Sequence, residues 1–170
     1  MATLIAYYSR KGENYWAGGI KTLEKGNTER VAEFVAEATN GDLFEIRTKK
    51  DYPESYMECI EEAKTELQAD ARPELETHPE SLDAYDTIFL GYPNWWGTCP
   101  MCVFTFLENY DLTGKRIIPF CTNEGSGMDG SERHLKRICD GAIVEHGLSV
   151  TGSQATQSRA KVLAWAKSMA

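Results

Sequence analysis

The sequence predicts an α/β fold: a five-stranded parallel sheet with helices on both faces, three layers in all. Three observations predict it. Short apolar runs that read as buried strands alternate with segments of helical periodicity along the whole chain. Polar, glycine-rich stretches follow the first, third and fourth of those runs, where an open parallel sheet places its ligands. No internal repeat, low-complexity run or linker interrupts the alternation, so residues 1–170 read as a single domain.

Residues 3–8 form the first expected strand, and 9–14 a loop. Gly18, Gly19 and Gly26 extend an irregular region that holds a short excursion through Ile20–Leu23. Gly26-Asn27-Thr28 opens a helix with Asn27 as N-cap and Glu29 in the first turn, where an acid suits the dipole. Val31, Phe34, Val35 and Ala38 make its apolar face, and Asn40-Gly41 stops it. Leu43–Ile46 is the second strand. A helix from Tyr52 to about Leu67 follows, with Pro53 near its start and Tyr56, Ile60, Ala63 and Leu67 on one face. Polar residues 68–82 connect to the third strand, Thr87–Gly91. Pro100 then sits at the tolerated first turn of a helix over 101–107. Residues 115–121 are the fourth strand, and Ser131 caps a helix using Leu135, Ile138 and Cys139. Ile143-Val144 and Leu148–Val150 offer a fifth strand interrupted near Gly147, before a last helix over 156–168.

At 170 residues the chain is long enough to bury roughly two-thirds of its unfolded surface without staples. A formal net charge of -8 argues against non-specific nucleic-acid binding and against an anionic membrane surface, and suits a basic protein partner. No secretory pattern opens the sequence and no run approaches transmembrane length. Five cysteines without framework spacing then fit a reducing, cytoplasmic setting.

Tyr92-Pro93-Asn94-Trp95-Trp96-Gly97 places two adjacent indoles just past the third strand. Successive positions do not share a face, so at least one tryptophan is expected to meet a ligand or a partner rather than the core. Gly26-Asn27-Thr28 presents free helix N–H groups that favour a phosphate, with the Ser9 hydroxyl at the neighbouring strand end. Loop 122–130 carries backbone donors and small side chains fit for a ring edge. These three stretches lie side by side only in the strand order 2-1-3-4-5. A phosphate at one end and a polar-edged aromatic ring at the other describe a mononucleotide, and a flavin fits best.

On Tyr7-Tyr8-Ser9-Arg10, Gly26-Asn27-Thr28, Tyr92–Gly97 and Asn123-Glu124-Gly125-Ser126-Gly127, the chain resembles the flavodoxin-like FMN-binding proteins over nearly its full length. The order 2-1-3-4-5 is that of flavodoxin itself and is not independent of the likeness. The resemblance implies that Ser9, Asn27 and Thr28, with Gly26, bind the FMN phosphate. It implies that Pro93, Asn94, Trp95, Trp96 and Gly97 border the isoalloxazine on one side, and Thr122, Asn123, Glu124 and Gly125 on another. One departure is that residues 10–25 separate Ser9 from Gly26. Either they loop out and Gly26-Asn27-Thr28 returns to the site, or Gly12-Glu13-Asn14-Tyr15 supplies part of it; the patterned helix after Asn27-Thr28 favours the first. Tyr15 and Trp16 would then fold over the flavin as a flap.

The resemblance implies an electron carrier between protein partners, with no catalytic side chain because the ring does the redox work. Acidic surroundings would push its potential down. The alternatives are an NAD(P)H-dependent FMN reductase acting on quinone, azo or nitro compounds, and a non-redox binding module of the same fold. Carriers of this type are often monomers and such reductases often dimers, so oligomeric state follows that choice. Cys99-Pro100-Met101-Cys102 has the spacing of a redox pair, but buried structural thiols are the better reading. His78, His134 and His146 show no metal-ligand spacing.

Overall fold

The computed structural model describes residues 2–170. The strands are β1 (Ala2–Tyr7), β2 (Gly12–Trp16), β3 (Gly19–Leu23), β4 (Asp42–Glu45), β5 (Tyr85–Pro93), β6 (Arg116–Asn123), β7 (Ile143–Val144) and β8 (Leu148–Thr151). The helices are α1 (Asn27–Thr39), α2 (Tyr56–Gln68), α3 (Met101–Glu108), α4 (Ser131–Ile138) and α5 (Arg159–Met169). The main sheet runs β4-β1-β5-β6-β7, with β8 also on β6, and its pairings are parallel. Counting β7 and β8 as the interrupted fifth strand, this is the order expected from the sequence.

The apolar runs alternate faces once folded, as a pleated strand requires. Leu4, Ala6, Tyr8, Ile88, Leu90, Tyr92, Ile117 and Cys121 join α3, Leu135 of α4 and Leu67 of α2 in one core. Ile5, Tyr7, Phe89, Ile118, Phe120 and Val150 meet Val31 and Val35 of α1 and Val162 and Ala166 of α5 in the other. Both faces are covered, so each fully buried Phe or Ile contributes about 1.5–3 kcal/mol.

The break between β7 and β8 has a local cause. Pro119 lies in a central strand and has no N–H to give. β7 pairs with β6 only at Arg116 and Ile117, and β8 resumes at Phe120. The chain crosses the proline at Gly147, where a Cβ would collide with the Pro119 carbonyl.

Three local expectations are corrected. Residues 12–23 are not an irregular loop but an antiparallel hairpin, pairing Trp16 with Gly19 across Ala17-Gly18. Both turn residues have positive φ, 47° and 91°, as a tight hairpin turn demands. Alanine is a poor occupant there, so Ala17→Asn is expected to stabilise by about 0.5–1 kcal/mol, read as a raised urea midpoint at unchanged slope. α2 begins at Tyr56, not Tyr52, because Ser55 caps it by accepting from Glu58 N. The N-caps of α1 and α4 are Gly26 and Gly130, each one residue before the polar side chain expected to cap.

Candidate functional site

The carboxyl ends of β1, β5 and β6 open onto one cleft of about 320 Å³. Of the residues singled out in the sequence, Asn27, Thr28, Pro93, Asn94, Trp95, Thr122, Asn123 and Glu124 line it. Ser9, Gly26, Trp96, Gly97 and Gly125 do not, and each has a different place.

Ser9 and Gly26 hold the entry to α1. Gly26 has no side chain to cap with, so Ser9 Oγ, from 20 residues upstream, accepts from Glu29 N at 3.0 Å. A Cβ at Gly26 would strike Ser9 Oγ and lie 2.6 Å from the Arg10 carbonyl, so only glycine lets the chain return this close to the end of β1. Among the described residues none accepts from Asn27 N or Thr28 N, the first two amides of α1. The Asn27 amide abuts Gly152, where a Cβ would come within 2.6 Å of Nδ2. Thr28 is buried, its hydroxyl 2.7 Å from that of Thr122, which ties the helix start to the end of β6.

After β5 the chain makes a second tight turn. Trp95 and Thr98 exchange backbone hydrogen bonds across Trp96 and Gly97, whose φ values are 57° and 88°. The turn sends the indoles apart. Trp95 lines the cleft and meets Tyr8 and Tyr52 edge-on, at centroid distances of 5.3 and 5.1 Å. Trp96 points away, 48% exposed, and donates from Nε1 to the Ile60 carbonyl of α2 at 2.8 Å with Lys64 over its ring. Asn94 ties this turn to the next loop, accepting from Gly97 N at 2.9 Å and donating to the Gly127 carbonyl at 3.0 Å.

Loop 122–130 is held from within. Asn123 Oδ1 accepts from Gly125 N and Gly127 N, both at 3.0 Å, and its Nδ2 donates to Ser149 Oγ. Gly125, at φ 119°, lies at the exposed tip. The Glu124 carboxylate accepts from Ala17 N at 2.6 Å and Ser153 N at 3.1 Å, so it latches the hairpin tip across the cleft. At the other end of the hairpin, Glu13 accepts from Tyr56 N at 2.8 Å, and Tyr15 lies beside Tyr56 with centroids 6.4 Å apart.

The cleft also takes Asn14 and Tyr15, which the sequence offered as an alternative supplier of the site, and Arg10, Tyr56, Ser126 and Gly152, which it did not assign to a site. Arg10 is the cationic side chain of this lining; it donates to the carbonyls of Glu13, Pro53 and Glu54. A lone cation at a strand's carboxyl end was the available signal. Tyr56 and Gly152 arrive only through tertiary contact. Ser9 faces a second cleft of about 850 Å³ on the other side of the hairpin base.

Cys99 and Cys102 are buried free thiols. Burial pushes both far above the ordinary thiol range, so neither presents a thiolate. Among the described residues, no group of three or more His, Cys, Asp or Glu could hold a metal, and no helix is long and apolar enough to cross a membrane.

His134 hydrogen-bonds Thr98 Oγ1 at 2.7 Å beneath the tryptophan turn. Burial holds its imidazole below the ordinary 6.5, and Arg137 and Arg133 add repulsion. Above that value both folded and unfolded chains are neutral there. As pH falls through it, the unfolded chain takes up a proton that the folded site resists, so stability is lost with falling pH. Urea midpoints at about pH 7.5 and about pH 5.5 should therefore differ less in His134→Gln than in the wild type.

An α/β protein with a helix N-terminus, an indole and a polar loop converging at three strand ends has the layout of a mononucleotide binder. A model of the flavodoxin family matches residues 22–169, and the chain belongs to that family. Among solved structures it is similar to a candidate flavoprotein from Bacteroides uniformis, at 32% identity and TM-score 0.78, covering 98% of this chain and 97% of that one. A candidate flavoprotein from Bacteroides eggerthii follows at 28% identity and TM-score 0.73, with 96% and 98% covered. A flavoprotein from Lactobacillus acidophilus in complex with FMN shares the fold at 22% identity and TM-score 0.67, over 92% and 97%. No curated protein sequence matches the chain.

Proposed function

We propose that the chain binds FMN non-covalently and carries electrons between protein partners. The observation that supports this most is the convergence of Asn27-Thr28, Pro93–Trp95 and Thr122–Glu124 on one cleft. The donor set fits the cofactor. Asn27 N and Thr28 N, at the positive end of α1, are free for a phosphate. Trp95 offers a flat apolar wall, and the 122–126 backbone offers polar edges. The FMN complex of the Lactobacillus acidophilus flavoprotein favours the same cofactor.

Bound FMN would supply the uptake and release of electrons. The chain holds the phosphate, orients the ring and keeps water from one face. Glu124 and the net charge of -8 add negative potential, which disfavours extra electron density in the cleft and suits a basic partner.

One observation favours the reductase reading. The hairpin carries Tyr15 to the cleft opposite Tyr56, enough aromatic surface to stack a flat substrate such as a quinone, azo or nitro compound. Anaerobic addition of NADH or NADPH to the FMN-loaded protein separates the two. A carrier stays yellow until a reductase is added. Rapid bleaching by either nucleotide alone would replace the carrier reading with the reductase.

A further inference from the structure

Behind the cleft, Trp95 touches a side chain that the binding of FMN does not use. The Tyr52 ring stands edge-on to Trp95, with centroids 5.1 Å apart. Its hydroxyl donates to Glu66 Oε1 at 2.6 Å. Glu66 and Tyr52 both line a separate cleft of about 430 Å³, with Lys49, Lys50 and Arg72 also in its wall. An indole in the cleft wall, a phenol edge-on to it and a carboxylate hydrogen-bonded to that phenol thus form a continuous line.

We propose that Tyr52 is a redox-active tyrosine that draws an oxidising equivalent out of the FMN cleft through Trp95 and hands its proton to Glu66. The inference rests on FMN occupying the cleft. The initiating oxidant is a one-electron acceptor of the class that a light-excited flavin represents. It takes one electron from Trp95 and is itself reduced by one electron. Oxidised Trp95 takes an electron from Tyr52 and is restored. The Tyr52 O–H bond breaks, the proton binds Glu66 Oε1, and a neutral tyrosyl radical remains.

Four observations select Tyr52 and Glu66. A phenol is hard to oxidise unless its proton has somewhere to go, and a carboxylate at hydrogen-bond distance provides that place. Tyr8 lies almost as close to Trp95, at 5.3 Å, but among the described residues no carboxylate accepts from its hydroxyl. Cys102, also beside Tyr52, is fully buried and keeps its own proton, so it is no acceptor. Burial raises Glu66 above the ordinary carboxylate range and Glu62 adds to this, while the Tyr52 hydrogen bond and Lys50 oppose it. A carboxylate of raised pKa is the better base.

Flash photolysis of the FMN-loaded protein tests the line. In the wild type the absorbance of an oxidised tryptophan should give way to that of a neutral tyrosyl radical. Tyr52→Phe keeps the ring and should abolish the tyrosyl signal, with oxidised Trp95 lasting at least about tenfold longer. Glu66→Gln should slow the tryptophan-to-tyrosine step by about tenfold or more, and Tyr8→Phe should leave it unchanged. A tyrosyl signal that persists undiminished in Tyr52→Phe overturns the proposal, as does an unchanged rate in Glu66→Gln. A second arm uses photogenerated tris(bipyridine)ruthenium(III) in solution, which needs no flavin, and reads the difference between wild type and Tyr52→Phe. If FMN fails to bind, the cofactor reading falls, and the Trp95–Tyr52–Glu66 line stands only if the Tyr52 radical also forms more slowly in Trp95→Phe and Glu66→Gln; equal rates overturn it. If FMN binds and neither arm detects Tyr52, the line falls alone.

Discussion

Gly26→Val is expected to loosen the start of α1 and to weaken FMN by at least about tenfold, with a stability loss of about 1–3 kcal/mol. The reason is steric rather than conformational. Gly26 has an ordinary φ of -66°, so the backbone would accept a side chain. The space would not: a Cβ collides with Ser9 Oγ and lies 2.6 Å from the Arg10 carbonyl, which is backbone and cannot swing aside. Relieving the clash pushes the end of β1 away from Asn27 and Thr28. The displacement breaks the Ser9 Oγ to Glu29 N bond and moves the two free amides off the cleft. Urea denaturation reads the first effect and a flavin fluorescence titration the second. Gly19→Ala is the control, since a Cβ there meets only the Trp16 carbonyl, at 3.9 Å. Equal losses in both variants would show that the hairpin, not the β1–α1 junction, carries the effect.

The paired tryptophans should separate sharply. Trp95→Ala removes the apolar wall of the cleft and the edge contacts with Tyr8 and Tyr52. Stacking on an aromatic ring is worth about 1–3 kcal/mol, so FMN affinity should fall by up to about 100-fold. Trp96→Ala should leave affinity within about threefold of wild type, because its indole sits on α2 and half in solvent. It loses the hydrogen bond to the Ile60 carbonyl, a stability cost of about 1 kcal/mol. Similar affinity losses in the two variants would mean that the turn is not held as the backbone bonds of Trp95 and Thr98 hold it.

These two residues also show what the sequence could and could not reveal. Adjacent indoles after a buried strand announced that one of them had to leave the core. Which one depends on positive φ at Trp96 and Gly97, a turn that forms because Asn94 Oδ1 accepts from Gly97 N. That bond is local, a side chain closing its own turn, and hydrophobic periodicity does not reveal it. The central strands were legible because their residues are apolar on both faces, as in Ile88-Phe89-Leu90. α1 was legible because Val31, Phe34, Val35 and Ala38 repeat at helical spacing and Asn40 stops it in the left-handed region.

The hairpin was not legible, for a physical reason. It pairs with no other strand and covers a cleft rather than a core, so Tyr15 and Ile20, which face each other across it, stay half exposed. No apolar period marks such an element, and its turn uses Ala17 where asparagine would have advertised it. Arg10 was hidden similarly: its role comes from reaching the carbonyls of Pro53 and Glu54, more than 40 residues away. The choice between the two routes for residues 10–25 proved not to be exclusive. Gly26-Asn27-Thr28 does return to the end of β1, and Asn14 and Tyr15 line the cleft as well.

The most direct test of the FMN site compares FMN with riboflavin, which lacks only the phosphate, in parallel equilibrium titrations of the wild-type chain. With the α1 amides holding the phosphate, FMN should bind about 100-fold more tightly, the worth of one or two charge-assisted hydrogen bonds. Asn27→Ala combined with Thr28→Ala keeps both backbone amides, so most of that gap should survive the loss of the two side chains. Equal affinities for the two flavins, or no binding of either, would contradict the assignment of this cleft to FMN.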